Sequence, residues 1–235
     1  MAASIVRNTR LTLISIEGNI GSGKSTFIQQ LRAREWPSNV KFIDEPVKDW
    51  DVIRDTVSNK SMLELFYADQ ERNAFSFQMM AYITRLAKIR EAIRSYTGEE
   101  RLVLITERCL LTDKNVFAKM LYDSGRIREV DYKIYTSWFD EFIQDIPQPI
   151  IVYVNTSPSI CYSRIASRSR KGEEAIPLSY LTKCHEYHNK WIYTMNYIIE
   201  LNGNYDKTTP ADYNDWCSIV KTACRWGTPS TLVKE

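Results

Sequence analysis

Five short runs of apolar residues recur along the chain, and each is nearly continuous rather than alternating with polar positions. They lie at Leu11–Glu17, Val40–Glu45, Leu102–Glu107, Ile150–Asn155 and Tyr197–Leu201. Continuous apolar runs of this length are typical of strands that are buried on both faces of a parallel sheet. Helical spacing fills the segments between them, which indicates βαβ crossovers. The pattern therefore predicts an α/β fold in which helices flank both faces of a five-stranded parallel sheet.

The span between Pro46 and Gly98 contains no other glycine or proline, and most of it, from about Met62 to Arg94, predicts one long helix. Successive side chains of a helix are rotated by about 100° around its axis, and on this basis one set of residues projects within an arc of roughly 100° and forms a stripe. The stripe consists of Leu63, Tyr67, Ala74, Phe77, Gln78, Ala81 and Arg85. It should face inward, yet its polar side chains need partners. Either they satisfy one another and nearby backbone, or they line a pocket for a small polar ligand.

The first apolar run leads directly into a glycine-rich segment that reads G-x-x-x-x-G-K-S-T, with apolar residues at helical spacing behind it. This strand, loop and helix context is typical of a phosphate loop. The glycines let backbone N–H groups turn toward a polyphosphate, the lysine reaches the β and γ phosphates, and the serine hydroxyl can hold Mg²⁺. The segment therefore predicts binding of a nucleoside triphosphate. The residues concerned are Gly18, Asn19, Gly21, Ser22, Gly23, Lys24, Ser25 and Thr26.

Three of the predicted strands end in a carboxylate, at Glu17, Glu45 and Glu107. The carboxyl ends of parallel strands border the ligand crevice of an open α/β sheet. These three side chains are therefore candidates for a role beside the phosphate loop.

A basic run, Arg164, Arg168 and Arg170 with Lys171 after the last, follows a predicted helix start at Ser157. A solvated basic face is the usual explanation of such a run. In a phosphotransferase the same composition also makes a lid that closes cations over a transferring phosphoryl group.

The bulk composition limits the classes of function. The chain has 235 residues, of which 44% are hydrophobic, enough for one α/β domain over residues 1–235 with a flexible tail at about 226–235. A net charge of +2 argues against a nucleic-acid partner, and no apolar run approaches the roughly 20 residues that span a membrane. Five scattered cysteines favour reduced thiols, and we expect a cytoplasmic protein.

Five blocks of sequence, in order, resemble the deoxynucleoside kinase family, which includes deoxycytidine, deoxyguanosine and insect deoxyribonucleoside kinases. The blocks are Ile16-Glu17-Gly18-Asn19-Ile20 with its phosphate loop, Glu45-Pro46-Val47 with Trp50, Glu71-Arg72 with Phe75-Ser76-Phe77-Gln78, Glu107-Arg108, and Arg168-Ser169-Arg170 through Glu173 to Leu181. The resemblance runs from about Leu11 to Asp206. It implies a P-loop kinase fold with an arginine-rich lid, and transfer of the γ-phosphate of ATP to the 5′-hydroxyl of a deoxyribonucleoside in nucleotide salvage.

The resemblance also implies the catalytic roles. Glu45 would be the general base, with Arg108 beside it. Glu107 and Ser25 would place Mg²⁺. The resemblance implies that Arg164, Arg168 and Arg170 form the lid, and that Lys24 and Arg168 act on the transferring group. One residue departs from the family pattern, because Cys109 follows Glu107-Arg108 where serine is usual, and this substitution could leave a thiol near the site.

On the substrate side, the resemblance implies that Tyr67 and Glu173 hold the sugar 3′-hydroxyl, while Gln78 hydrogen-bonds the base edge. Asp206 would lie near the adenine of ATP. The apolar walls around the base would be Ile20, Trp50, Leu63, Phe77 and Phe117. Family members that accept deoxycytidine and purine deoxynucleosides carry an arginine and an aspartate at the positions of Arg85 and Asp113, and Ala81 would lie beside them in the pocket. The resemblance therefore implies that thymidine is a poor substrate.

Alternatives stay open at this point. Arg85 and Asp113 could instead form a structural ion pair, and the enzyme could be a broad or thymidine-preferring deoxynucleoside kinase. A thymidylate-like nucleoside monophosphate kinase shares the loop and lid, but Glu45 and Glu173 would repel an acceptor phosphate. A homodimer is expected from the resemblance and from apolar positions left over on two helices. These positions are Met79, Ile83, Leu86, Ile93, Ile134, Trp138, Phe139 and Phe142.

Overall fold

Five strands form a parallel sheet whose spatial order differs from the chain order. The strands are β1 Leu11–Glu17, β2 Val40–Ile43, β3 Leu102–Glu107, β4 Ile150–Asn155 and β5 Ile198–Asn202. In the computed structural model, which describes residues 10–168, 173 and 176–226, their order is β2-β3-β1-β4-β5 and each neighbouring pair is parallel. The predicted fold class is confirmed. Strand β2 ends before the predicted Glu45, and β5 lies one residue later than predicted.

The helices supply the crossovers between the strands. They are α1 Lys24–Arg32, α2 Val47–Val52, α3 Met62–Ala68, α4 Gln70–Ser95, α5 Leu110–Thr112, α6 Lys119–Asp123, α7 Glu129–Ile143, α8 Pro158–Arg168, α9 Leu178–Ile192 and α10 Asn214–Trp226. A π-helical turn, Asp113–Ala118, joins α5 to α6, and a 3₁₀ turn, Pro210–Tyr213, precedes α10. None of the described helices is both long and apolar enough to cross a membrane. The predicted tail beyond residue 226 lies outside the described residues.

Alternate side chains of the central strand β1 point to opposite faces of the sheet, as the period of two requires. Leu11 and Leu13 pack in one core with α4 and α7, whereas Ile14 and Ile16 pack in a second core with α1 and α10. Both faces of the sheet are therefore covered, which explains why the strands read as continuous apolar runs.

The prediction of one long helix from Met62 to Arg94 is wrong, because the chain breaks between α3 and α4 at Asp69. The backbone of Asp69 is non-helical, and its carboxylate accepts a hydrogen bond from the backbone N–H of Arg72 at 3.1 Å. Ser61 and Glu64 form a capping box at the start of α3. Asp competes for backbone donors in this way, so it caps a new helix more readily than it continues an old one.

Candidate active site

A cavity of about 490 Å³ lies at the carboxyl edge of the sheet, between the phosphate loop and helices α3 and α4. Most of the predicted site residues line it. They are Ile20, Gly21, Gly23, Lys24, Ser25, Thr26, Glu45, Trp50, Leu63, Tyr67, Phe77, Gln78, Ala81, Arg85, Glu107, Arg108, Asp113, Phe117, Arg164 and Glu173. Residues from distant parts of the chain thus meet around one space, although the break at Asp69 divides the predicted stripe between two helices.

Of the remaining predicted residues, those that the structure describes do not line this cavity. Gly18, Asn19 and Ser22 belong to the phosphate loop but lie beneath its surface; Asn19, for example, donates through Nδ2 to the carbonyl oxygen of Leu181 at 2.8 Å. Asp206 is exposed and accepts a hydrogen bond from Arg164 Nη2 at 3.2 Å. Two predicted lid groups, Arg170 and the side chain of Arg168, lie outside the described residues.

The phosphate loop adopts a path that only glycine allows at two points. Gly18 and Gly21 have φ angles of 144° and 77°. A Cβ atom on Gly18 would lie 2.6 Å from the carbonyl oxygen of Val154, and one on Gly21 would lie 2.6 Å from that of Cys161. Because both obstructing atoms belong to the backbone, they cannot move aside cheaply. The loop is thereby packed against β4 and α8 while its outer residues stay open to the cavity.

Lys24 and Ser25, the first residues of α1, present the polar groups of the loop to the cavity. Lys24 is buried, and this burial, reinforced by the charge of Arg108, lowers its pKa to about 8. Ser25 Oγ donates to Glu107 Oε1 at 2.8 Å. A hydroxyl and a carboxylate are the hard oxygen ligands that Mg²⁺ prefers, and Mg²⁺ needs only one or two protein carboxylates when phosphates and water complete its shell. These two residues therefore fit a Mg²⁺ site.

Glu45 lies across the cavity, held by two guanidinium groups. Arg108 Nη1 donates to Glu45 Oε1 at 2.8 Å, and Arg85 Nη2 approaches the same oxygen at 3.4 Å. Burial by itself would raise the pKa of Glu45, but Arg108, Arg85 and Lys24 outweigh it and lower the pKa to about 2. Glu45 is consequently an ionised hydrogen-bond acceptor throughout the neutral range.

Arg108 reaches Glu45 from a strained backbone position. Its φ angle is 61°, in the left-handed region where a residue with a side chain costs about 1–3 kcal/mol. The side chain is fixed at several points, because Nη2 donates to the carbonyl oxygen of Gly18 at 3.2 Å and the guanidinium lies 5.1 Å from the ring centre of Phe117. The strain therefore places a cation between the phosphate loop and the proposed base.

Arg85 and Asp113 form a buried ion pair, with Arg85 Nε donating to Asp113 Oδ2 at 2.9 Å. Arg85 Nη1 also donates to the carbonyl oxygen of Glu107 at 2.6 Å. Burial disfavours the charge on Arg85, but Asp113 and Glu45 outweigh it and raise its pKa. Asp113 begins the π-helical turn, which turns the side chains of Asp113 and Phe117 toward the cavity. Such turns are often found at functional sites.

Aromatic side chains surround the amide of Gln78 in the part of the cavity next to helices α3 and α4. Gln78 is 3% exposed, and its Oε1 atom has no hydrogen-bond partner among the described residues. Trp50, by contrast, donates through Nε1 to Thr84 Oγ1 at 3.0 Å, so its polar atom is satisfied within the chain. Phe77 stacks on Phe66 with ring centres 4.5 Å apart. An unsatisfied amide among aromatic walls suits a flat ligand with polar edges.

Comparison with known proteins agrees with this geometry. The deoxynucleoside kinase family model matches residues 14–225. The chain belongs to the deoxynucleoside kinase family. It is 36% identical to deoxycytidine kinase of Mus musculus over 205 residues, which cover 78% of this chain and 76% of the relative. These matches confirm the family predicted from the sequence, and with it the predicted fold and kinase activity.

Two other relatives widen the range of activities among the matched proteins. A probable deoxycytidine kinase of Fowlpox virus is 34% identical over 202 residues, covering 82% of this chain and 79% of the viral protein. A mitochondrial deoxyguanosine kinase of Xenopus laevis is 32% identical over 195 residues, covering 76% and 72%. The relatives therefore include kinases named for a pyrimidine and for a purine nucleoside.

Two further residues named from the sequence of this deoxynucleoside kinase, Glu17 and Cys109, lie outside the cavity. Glu17 is completely buried, and burial raises its pKa despite three donors on Oε1, namely Ser15 Oγ, Thr112 Oγ1 and the Cys109 N–H. The Cys109 thiol is also buried, and its Sγ lies 3.5 Å from Thr112 Oγ1. Because burial raises the pKa of Cys109, this cysteine is an inert packing residue rather than a reactive thiol.

Among the described residues that line the cavity, four were missed by sequence reasoning: Gln29, Val47, Phe66 and Tyr180. Val47 and Tyr180 stand inside blocks that carried the family resemblance, so their neighbourhood was a usable signal. Phe66 was missed because the predicted stripe assumed an unbroken helix. Gln29 lies on the first helix after the phosphate loop, and no pattern in the sequence distinguishes it.

The low pKa of Glu45 predicts a simple pH profile for this kinase. With Glu45 as the expected base, the ionised form is the one that accepts a proton, so its contribution to activity is lost as pH falls toward about 2. On the alkaline side, Lys24 loses its positive charge as pH rises through about 8, and activity should fall there. We expect kcat/KM for the nucleoside to change less than about twofold between about pH 5 and about pH 7. Circular dichroism over the same range separates titration from acid unfolding. An acid limb with its midpoint above about pH 5 in folded protein would contradict the charge network described for Glu45.

Proposed function

We propose that the enzyme transfers the γ-phosphoryl group of ATP to the 5′-hydroxyl of a deoxyribonucleoside, as a step of nucleotide salvage. One observation carries this proposal: the ionised Glu45, paired with Arg108, shares a cavity with the phosphate-loop lysine. The relatives named as deoxycytidine and deoxyguanosine kinases support the same class of acceptor.

On the acceptor side, Glu45 receives the proton of the 5′-hydroxyl while that oxygen bonds to the γ-phosphorus. The bond between this phosphorus and the β–γ bridging oxygen breaks, and ADP leaves. A carboxylate with a pKa of about 2 is a weak base, so the proton moves as the new bond forms and the hydroxyl becomes acidic. Arg108 stabilises the charge that develops on the transferring group.

On the donor side, Lys24 supplies a positive charge to the β and γ phosphates. Ser25 and Glu107 would hold Mg²⁺, which when bound neutralises charge on the phosphate oxygens. Arg164 lies at the edge of the cavity and also donates to the carbonyl oxygens of Gly203 and Tyr205, at 3.0 and 3.3 Å. It can therefore connect the phosphates with the Gly203–Asp206 loop, which we propose borders the adenine. The lid roles of Arg168 and Arg170 remain predictions.

The rest of the cavity fits a deoxyribonucleoside. Tyr67 and Glu173 line it together, and Glu173 is among the groups that raise the pKa of Tyr67, after burial. We propose that both hold the sugar 3′-hydroxyl and that the Tyr67 ring excludes a 2′-hydroxyl. The free Oε1 of Gln78 would accept a hydrogen bond from the base. Carboxylates at Glu45 and Glu173 would repel an acceptor that already carried a phosphate, which disfavours a nucleoside monophosphate.

Replacement of Glu45 tests the proposed base. Glu45→Gln keeps the shape but removes the proton acceptor, so kcat should fall about 10²- to 10⁴-fold while KM for the nucleoside changes less than about threefold. Coupled ADP release measures both constants. Asp44→Asn is the matched control, because Asp44 is the adjacent exposed carboxylate and pairs with Arg32 instead. If Glu45→Gln retained turnover within about threefold of the parent, Glu45 would not be the base.

The Arg85–Asp113 pair supports a preference among bases. Each Asp113 oxygen takes one contact from Arg85, at 2.9 and 3.4 Å, and a carboxylate oxygen can accept a second hydrogen bond. An exocyclic amino group of cytosine or adenine could provide that donor. Thymine presents a carbonyl oxygen and a methyl group there, and an unpaired buried polar group costs about 1–3 kcal/mol. We therefore propose that deoxycytidine or purine deoxynucleosides are preferred to thymidine.

A nucleoside panel tests this preference together with the whole proposal. With ATP as donor, we expect kcat/KM for the best of deoxycytidine, deoxyadenosine and deoxyguanosine to exceed that for thymidine by at least about tenfold. The double variant Arg85→Met, Asp113→Ala should shift this ratio toward thymidine. Its control, Lys88→Met with Asp49→Ala, removes an exposed ion pair one turn further along α4. A parent enzyme that prefers thymidine would refute the base preference alone, whereas one active only on monophosphates would refute the proposed reaction.

We also propose a homodimer through the outer face of α4 and α7. Ile83, Ile134 and Trp138 are 47%, 43% and 48% exposed, and Tyr82 donates to the backbone oxygen of Trp138, so the two helices adjoin at this level. Leu86 and Phe139, expected at the interface, are instead buried in the core of the chain itself, because α4 and α7 pack against each other there. An exposed apolar face of two adjacent helices suits a twofold symmetric contact.

Light scattering tests the dimer. The parent should have twice the 27.5 kDa mass of the chain at micromolar concentration, and Ile83→Glu with Trp138→Glu should give the single-chain mass. Ile219→Glu, which places the same charge on an exposed apolar position of α10, should leave the dimer intact. A parent of 27.5 kDa would overturn this part of the proposal.

A cytoplasmic location remains part of the proposal. All five cysteines are free thiols, and four of them are buried, which fits a reducing compartment. The name of one relative places that protein in mitochondria, so fractionation of cells that express this chain is the measurement that decides.

A further inference from the structure

Glu17 is a buried carboxyl group that the mechanism does not use. It ends the central strand β1, is completely buried, and does not line the cavity. Its Oε1 atom nevertheless accepts three hydrogen bonds, from Ser15 Oγ at 2.5 Å, Thr112 Oγ1 at 2.6 Å and the Cys109 N–H at 3.0 Å. Its Oε2 atom has no partner among the described residues. Such a group is costly to bury, so its contacts merit an explanation.

Two of the three donors belong to the segment that follows Arg108. Cys109 is the next residue after Arg108, and its N–H is held directly by Glu17. Arg108 has a left-handed backbone, a conformation that persists only where surrounding contacts determine it. Its own N–H donates to the carbonyl oxygen of Ile16, the residue before Glu17, at 3.1 Å. The strained residue is thus fixed by backbone contacts on both sides.

The side chain of Arg108 returns to the same strand end. Nη2 donates to the carbonyl oxygen of Gly18, the residue after Glu17, and Nη1 donates to Glu45. Three consecutive residues therefore hold this turn. Ile16 accepts from the N–H of Arg108, Glu17 accepts from the N–H of Cys109, and Gly18 accepts from the guanidinium of Arg108. Any displacement of this turn would move the guanidinium relative to Glu45 and to the phosphate loop.

The hydrogen bond from Thr112 connects Glu17 to the other side of the cavity as well. Thr112 ends α5 and directly precedes Asp113, which pairs with Arg85. Glu17 thus holds the short segment from Cys109 to Thr112 at both of its ends.

We propose that Glu17 is a positioning residue for phosphoryl transfer, acting through Arg108: it holds the turn that keeps the Arg108 guanidinium between Glu45 and the phosphate loop. This inference rests on the proposed kinase reaction. Because Glu17 does not touch the substrates, its loss should lower kcat far more than it raises KM. A misplacement of about 1 Å at a catalytic group can reduce a rate about 100-fold.

Two substitutions separate hydrogen bonding from packing. Glu17→Leu keeps the volume but removes the acceptor, and kcat should fall about 10- to 100-fold while KM for the nucleoside changes less than about threefold. Glu17→Gln retains an amide oxygen that can accept from Cys109 and Thr112, so it should retain kcat within about threefold. Val220→Ala, in the core on the other face of the sheet, is the control for lost stability and should leave kcat unchanged.

A double-mutant cycle with Arg108→Met tests whether Glu17 acts through Arg108. In that background Glu17→Leu should reduce kcat less than about threefold, because the guanidinium that it positions is already absent. Hydrogen exchange adds a readout that does not depend on activity: the backbone of residues 107–113 should exchange faster in Glu17→Leu than in Val220→Ala.

The outcomes distinguish this inference from the proposed function. An inactive parent would refute the kinase proposal. Hydrogen exchange tests the role of Glu17 independently of activity, and that role would be refuted if residues 107–113 exchanged no faster in Glu17→Leu than in Val220→Ala. A folded Glu17→Leu variant with kcat within about threefold of the parent, or with an equal loss in both backgrounds, would also overturn it. If Glu17→Leu does not fold, Thr112→Val decides, since it removes one bond to Glu17: a loss of kcat of at least about threefold supports the inference, and a smaller change refutes it.

Discussion

The structure depends on burying several charges together at one edge of a parallel sheet. An isolated buried charge is too costly to persist, so each must be paired and hydrogen-bonded. Here Glu45 takes contacts from two arginines, and Arg85 and Arg108 each bond to a carboxylate and to a backbone carbonyl oxygen. The members of the network therefore depend on one another, because none of them can move without leaving another unpaired.

The same network joins the two halves of the cavity. One half is the phosphate loop, whose backbone and Lys24 suit a polyphosphate. The other half is the pocket lined by α3 and α4, whose carboxylates suit a neutral hydroxyl acceptor. Arg108 belongs to both, because one nitrogen contacts the loop at Gly18 and another contacts Glu45. Phosphoryl transfer requires little covalent chemistry from the protein and much accurate placement of charge, and the bridging position of Arg108 fits that requirement.

The cost of this placement is visible in the backbone. The backbone of Arg108 lies in the left-handed region, which costs about 1–3 kcal/mol. Glu17 is buried, and one of its two carboxylate oxygens has no hydrogen-bond partner among the described residues. Hydrogen bonds to charged groups contribute about 1.5–3 kcal/mol each, and Arg108 makes such a bond to Glu45. The strain can therefore be held by the network itself. It follows that β1 does more than carry the phosphate loop, since its last residues also fix the turn after β3.

The sequence by itself determined the parallel sheet, the phosphate loop and most of the residues that line the cavity. These features are local or periodic, so strand burial, glycine spacing and helical spacing are enough to find them. The strand-end pattern singled out Glu45, and the family resemblance then supplied its expected role and added Glu173, which no short-range pattern identifies. Even the stripe with Tyr67 and Gln78 was found correctly, although the helix assumed for it was not continuous.

Only the tertiary structure decided which strand-end carboxylates face the cavity. Glu17, Glu45 and Glu107 look alike in the sequence, yet Glu17 points into the core and the other two line the site. It also decided the break at Asp69, where a side-chain cap competes with helix continuation. The pairing of Arg85 with Asp113, 28 residues away, and the left-handed Arg108 likewise depend on contacts between distant segments. Local propensity carries no information about such contacts, because they form only when the strands are brought side by side.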